Sequence, residues 1–198
     1  MKVMKIEEAR KLFEDLAYSN IHRKGITSLM SWLEQETDFF SAPASIKYHG
    51  AYDGGLLEHS LEVYAEFLKL ATAFNYDITN SALRESATIV TLFHDVCKIN
   101  SYQKSVRSVK NKDTGIWEDV TCFIYSSEAD RFGAHGAASV YYISEHMPLT
   151  FAESQAIYHH MGAWDASKYD KPSKAYENNE LAWLLHVADE AAIYITGI

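Results

Sequence analysis

An adjacent histidine and aspartate close an apolar run at Thr91-Leu-Phe-His94-Asp95-Val-Cys-Lys98, and a lysine follows one helical turn later. Residues three and four apart share one side of a helix, so His94, Asp95 and Lys98 are expected to crowd together. An imidazole, a carboxylate and an ammonium behind apolar residues are costly to desolvate unless each finds a partner. An ion pair at a helix end would meet that need, and so would a metal ion. The remaining histidines and acids decide between the two.

Their positions follow from the periodicity. Residues 6–16 carry Ala9, Phe13 and Leu16 at helical spacing, and 26–36 do so through Ile26, Met30 and Leu33. Both are expected as scaffold helices, with His22 exposed in the link. Asp38-Phe-Phe-Ser-Ala-Pro-Ala-Ser then breaks the pattern, and Tyr48-His-Gly-Ala-Tyr-Asp-Gly-Gly55 supplies a turn before a new helix. That helix, over 56–74, sets His59 on one stripe with Val63, Phe67 and Leu70. A histidine so placed is ordinarily a satisfied core residue, and only partners make it a ligand. A helix over 81–96 puts Ala87, Val90 and His94 at i, i+3 and i+7, which turns His94 inward.

Over 102–125 the period changes. Two runs rich in β-branched and aromatic residues flank Asn-Lys-Asp-Thr-Gly, which predicts an inserted β-hairpin. Its Lys104, Arg107 and Lys110 read equally as edge-strand charge or as a phosphate-contacting flap. Phe132-Gly-Ala-His135-Gly opens a further helical run that ends near His146, expected as a solvated cation at the helix C-terminus. His135 stands at the start of that run, where free N–H groups favour anions. Thr150-Phe-Ala-Glu153 reads as a capping box for a helix ending at Tyr158-His159-His160-Met-Gly162. Residues 164–179 are polar, a loop long enough to rim or cover a site. In the last helix, over 180–195, Asp189 lies among Leu184, Leu185, Ala188 and Ala192, and a carboxylate there needs a cation or a metal.

The reading is of an all-α chain, about six helices with one small inserted hairpin. Only nine Gly and three Pro in 198 residues favour helices over a many-stranded sandwich. One domain over 1–198 is expected, with 1–37 as an N-terminal helical scaffold and 38–195 as the core. The formal charge of −9 argues against long nucleic acid as partner, though not against a small phosphorylated molecule held by a few local cations. Cys97 and Cys122 form no ligand-like or disulfide framework. With no signal-peptide pattern and no run of the ~20 apolar residues a membrane span needs, a cytoplasmic protein is expected.

Five places thus bring an imidazole or carboxylate onto an apolar helix or its end: His59, His94-Asp95, His135, His159-His160 and Asp189. One metal ion or two would satisfy them together, and helical bundles build such sites from facing side chains. The order of these residues resembles the HD-domain superfamily of metal-dependent phosphohydrolases. The words that carry the resemblance are Gly54-Gly-Leu-Leu-Glu-His59-Ser, Phe93-His94-Asp95-Val-Cys-Lys98 and Leu184-Leu-His-Val-Ala-Asp189, supported by Gly133-Ala-His135-Gly and His160-Met-Gly162. It covers roughly residues 38–195, and it is closest to a bacterial and phage group of unassigned substrate. The resemblance implies that His59, His94, Asp95 and Asp189 hold the principal metal. It implies that His135 and His160 serve a second metal or the phosphate, with His159 a neighbour that could contact substrate. It also implies a phosphate contact for Lys98, with Arg107 as a helper, and catalytic roles for Asp95, Lys98 and His135.

The cofactor so implied is a divalent transition metal, Mn, Fe, Co, Ni or Zn, in one or two copies, since mixed imidazole and carboxylate ligands suit these ions. The substrate implied is a small phosphorylated compound, a nucleotide first of all. Two other readings share the residues: an HD-type di-iron oxygenase, and a metal- or nucleotide-binding sensor without turnover. Cys97 stands where the superfamily often has Gly, and no Gly-Tyr-Pro follows His159-His160, so the cyclic-di-GMP subgroup is not supported. Oligomeric state is open.

Overall fold

Why the chain folds as it does is clearest at its helix boundaries. The computed structural model describes residues 5–127 and 134–197, so Phe132 and Gly133 lie outside the described residues. Among the described residues, helices α1 (Ile6–Asn20) and α2 (Ile26–Gln35) precede α3 (Gly55–Ala73) and α4 (Ser81–Phe93). The hairpin β1 (Tyr102–Lys110) and β2 (Trp117–Tyr125) follows. Then come α5 (His135–Ser144), α6 (Phe151–Tyr158), α7 (Pro172–Asn178) and α8 (Glu180–Ala191). The Asn80 side chain caps α4 by accepting from the N–H groups of Ala82 and Leu83. Thr150 and Glu153 form the expected reciprocal capping box of α6.

The fold is mostly α with one inserted hairpin, as expected, and its antiparallel register pairs Tyr102 with Tyr125 and Lys110 with Trp117. Eight helices form among the described residues instead of about six. The stretch read as a polar loop contains α7, started by Pro172 at its first turn and anchored through buried Ala175. A second difference bears on the site. Helix α4 ends at Phe93, so His94, Asp95 and Lys98 do not share one continuous α-helix. Asp95 takes φ −106° and ψ 19°, and Val96–Lys98 form a single 3₁₀ turn. His146, expected in solvent, is half-buried, with its ring stacked on Trp32 at 4.6 Å between centroids.

Helix α3 packs against both α4 and α8, and α6 closes on α8 and α5. Leu56, Leu57, Val63, Phe67, Ile89, Val90, Leu184 and Leu185 form the shared apolar interior. Burial of such side chains is the main favourable term in folding. Phe13 of α1 stands 5.3, 5.7 and 5.6 Å from the rings of Phe39, Phe40 and Phe93, so the N-terminal helix braces the residue that precedes His94.

A buried polar hub ties three distant segments together. Glu153 is wholly buried. It accepts from both terminal nitrogens of Arg23, from the Ser86 hydroxyl at 2.7 Å and from the Thr150 N–H at 2.7 Å. Glu85 accepts from the N–H groups of His22 and Arg23 at 2.7 and 2.9 Å. The α1–α2 turn, α4 and α6 are thereby locked to one another.

Helices α5 and α6 approach through Gly136. A methyl group there would lie 2.2 Å from the carbonyl oxygen of Tyr158 and 2.6 Å from that of Ile157. Both obstacles are backbone, so neither can swing aside. Gly136→Ala is expected to destabilise the fold by about 1–3 kcal/mol, the usual range for overpacking. A denaturant midpoint unchanged from wild type would contradict that contact.

Candidate metal centre

Helices α3, α4, α6 and α8 each bring a polar side chain to the same buried place. His59 comes from the second turn of α3, His94 and Asp95 from the end of α4, His160 from just beyond α6, and Asp189 from α8. All five are buried. Their ligand atoms form two groups, His59, His94 and Asp189, and His94, Asp95 and His160, within each of which they lie no more than 4.8 Å apart.

Asp95 sits between the groups. Its Oδ1 is 3.4 Å from His160 Nε2, while Oδ2 is 3.5 Å from His59 Nε2 and 3.4 Å from His94 Nε2. Asp189 Oδ1 lies 3.1 Å from His59 Nε2 and 3.8 Å from His94 Nε2. The 3₁₀ turn carries the Lys98 ammonium to 2.5 Å from Asp95 Oδ2. Burial alone would raise the Asp95 carboxyl, but Lys98, His94 and His160 outweigh it and hold the group well below the usual carboxylate range.

The orientation of the rings favours a cation. His94 Nδ1 is 2.9 Å from the Thr91 carbonyl oxygen, and His160 Nδ1 is 2.7 Å from that of Ile157. Each Nδ1 therefore carries the proton and donates, which leaves a lone pair on each Nε2. The Nε2 atoms of His59 and His94 nevertheless face one another at 3.3 Å. His160 Nε2 and Asp189 Oδ1 are buried with no hydrogen-bond partner. Imidazole and carboxylate lone pairs converging on one buried place are unfavourable by themselves and are what a divalent transition ion satisfies, so this donor set fits one.

The backbone behind His160 is itself held. His186 Nδ1 donates to the His160 carbonyl oxygen at 2.7 Å, and the Tyr176 hydroxyl donates to that of His159 at 2.8 Å. The two rings stack 9° from parallel with centroids 5.0 Å apart. Helices α7 and α8 thus grip the turn that presents His160.

Not every expected residue reaches the centre. His135 opens α5 with its N–H bonded to Asp165 Oδ2 at 2.7 Å, and its buried Nδ1 has no partner. It belongs to neither three-residue group. His159 caps the end of α6 beside the Tyr158 ring and faces a recess lined by Asp165 and Asp170, away from both groups. Adjacent residues at a helix end diverge, so only His160 turns inward. Arg107 is exposed on β1, five residues and therefore about 16 Å along the strand from Tyr102, on the opposite face of the hairpin. Tyr102 is the hairpin residue close enough to Lys98 and Asp95 to feel their charges.

His49 was not singled out by the sequence pattern, yet its ring centroid stands 5.0 Å from that of His59. It comes from the irregular stretch before α3, where no periodicity points a side chain inward. The only sequence signal is its position ahead of the Asp-Gly-Gly turn that launches the His59 helix.

Cys97 adjoins the site but is no thiolate. Burial and the Asp95 charge push its thiol up to about 12. Iodoacetamide at neutral pH is therefore expected to leave Cys97 unlabelled in the folded protein and to label it after unfolding. Peptide mass spectrometry that finds rapid native labelling at Cys97 would contradict this.

The HD-domain family model matches residues 56–192, more than half of the chain and every segment of the His/Asp cluster. The chain belongs to the HD-domain superfamily, whose members are mostly metal-dependent phosphohydrolases. No curated protein and no solved structure gave a match. Among the described residues, no helix is long and apolar enough to cross a membrane.

Proposed function

We propose that this protein is a metal-dependent phosphohydrolase that cleaves a small phosphorylated substrate, a nucleotide in the first instance, by attack of water on phosphorus. The observation that carries the reading is Asp95, whose Oδ1 faces His160 and whose Oδ2 faces His59 and His94 while Lys98 stands against Oδ2. His59, His94, Asp95 and Asp189 would hold the principal ion, and His160 with Asp95 a second. A divalent transition metal so held supplies a water of lowered pKa and takes up charge developing on the phosphoryl oxygens.

The chain's own residues do the rest. His94 and His160 keep their Nδ1 protons on backbone carbonyls and so present Nε2 in one fixed tautomer. Asp95 remains a carboxylate, and Lys98, only 8% exposed, keeps an ammonium at the margin of the cluster where non-bridging phosphate oxygens could meet it. The hydrogen bonds behind His160 hold its ring in register without reorganisation during turnover.

A di-iron oxygenase would use the same donors, but a buried lysine paired with Asp95 suits a phosphate substrate better than oxygen. The test is to load purified protein in turn with Mn, Fe, Co, Ni and Zn, count ions per chain, and assay phosphate release and oxygen uptake. Turnover of at least one nucleotide or other phosphoester is expected. A metal-replete protein inert toward a broad phosphoester panel would overturn the proposal, and oxygen uptake by an iron-loaded form would replace it.

A further inference from the structure

The segment between α2 and α3 is irregular but tightly bonded. The Ser45 hydroxyl donates to the His49 carbonyl oxygen at 2.8 Å and accepts from the Tyr48 N–H at 2.8 Å. The Ala44 N–H donates to the Gly50 carbonyl oxygen at 2.9 Å, and the N–H groups of Gly54 and Leu56 donate back to Ser41 and Ala42 at 3.0 Å each. Gly50 itself takes φ +53°, and a Cβ there would lie 2.7 Å from Ala44 Cβ. His49 is thus fixed on both sides of its own backbone, and the loop carries it over the N-terminal turns of α3 to the ring of His59.

Its Nε2 is buried and has no hydrogen-bond partner. It is not part of either group of potential metal ligands. Buried polar nitrogens are nearly always satisfied, so one left open against a functional cluster calls for an external partner. Lys98, His59, Asp95 and Asp189 all lie near enough for their charges to act on it.

We infer that His49 is a substrate-contacting residue, donating from Nε2 to a phosphoryl oxygen that Lys98 also meets. The inference rests on the phosphohydrolase reading for the identity of the ligand. The oxygen would satisfy the open nitrogen, which an imidazole can present as an N–H donor. A loop held by backbone hydrogen bonds holds that donor in position before the ligand arrives, as preorganised binding requires.

The experiment uses the Mn-loaded full chain and titrates inorganic phosphate by calorimetry, with ion content and melting temperature measured in parallel. His49→Ala is expected to keep the wild-type ion content and melt within a few degrees of wild type, while binding phosphate about tenfold or more weakly. His49→Gln, which retains an N–H donor, should lose less. Unchanged phosphate affinity in both variants overturns the inference, as does loss of metal in parallel with phosphate, which would make His49 a ligand. A wild-type protein that takes up Mn but no phosphate overturns it also. The two readings fail separately. Turnover with His49-independent phosphate binding removes only this inference, whereas His49-dependent phosphate binding without turnover of any phosphoester removes only the hydrolase.

Discussion

Asp95→Ala is expected to bind less than one ion per chain and to lose phosphoester hydrolysis by on the order of 10³-fold or more, the scale on which one essential catalytic or charge-stabilising group acts. The reason is its position. It is the residue whose two oxygens face His59, His94, His160 and Lys98 within 3.5 Å. Truncation removes the carboxylate from the group of His94, Asp95 and His160 and leaves the Lys98 ammonium buried without its counter-charge. Asp95→Asn separates these effects, since it keeps the shape and removes only the charge. Ion content by mass spectrometry, read beside turnover, checks the prediction. An alanine variant that keeps its metal and its rate would show that Asp95 is a structural ion-pair partner only.

The second large effect concerns stability. Glu153→Ala leaves the Arg23 guanidinium partly buried without the carboxylate that it grips with both terminal nitrogens, and strips the Ser86 hydroxyl and the α6 cap of their acceptor. Breaking one side of such a buried pair costs about 3–5 kcal/mol. For a chain of this size that corresponds to a fall in melting temperature on the order of 10 °C. Burial pushes the Glu153 carboxyl up, but Arg23, Ser86 and Thr150 more than reverse it and leave it below its ordinary value. The stability it contributes is therefore complete above the carboxylate range of the unfolded chain. It is lost as pH falls through the lower folded-state pKa. Thermal melts in a descending pH series should show wild type losing this advantage over Glu153→Gln only in acid. A gap that persists unchanged at the lowest pH would contradict the linkage.

How much of this could be read in the sequence depended on whether the backbone was periodic. His59, His94 and Asp189 lie on apolar stripes of α3, α4 and α8, and a period of 3.6 residues turns each inward. The hairpin was legible because β-branched runs flank a turn of Asn, Asp and Gly. The same reasoning misplaced the geometry of His94, Asp95 and Lys98. Periodicity extends a helix past Phe93, whereas the chain breaks into a 3₁₀ turn that brings Lys98 back onto Asp95. Helix α7 was invisible because its residues are polar and only Ala175 is buried. His49 was missed for a third reason, since its inward direction is set by loop hydrogen bonds among Ser45, Ala44 and Gly50. Such contacts have no spacing rule. Arg107 was drawn in by its charge, and charge says nothing about which face of a strand a residue occupies.

The hairpin leaves the helical body and returns to it at nearly one point. The Ser126 N–H donates to the Ser101 carbonyl oxygen at 2.9 Å, and the Ser126 hydroxyl donates to that of Asn100 at 2.8 Å. Between these residues the two strands pair with each other, and their side chains are largely exposed. An excursion whose ends already touch asks little of the body that carries it. The segment can lengthen, shorten or be exchanged for a tight turn while His94, Asp95 and Lys98 stay where α4 and its terminal turn put them. Sequence drift is therefore cheapest in a stretch whose Tyr102 stands beside Lys98 and Asp95, so that new molecular preferences could arise there without disturbing the buried chemistry below.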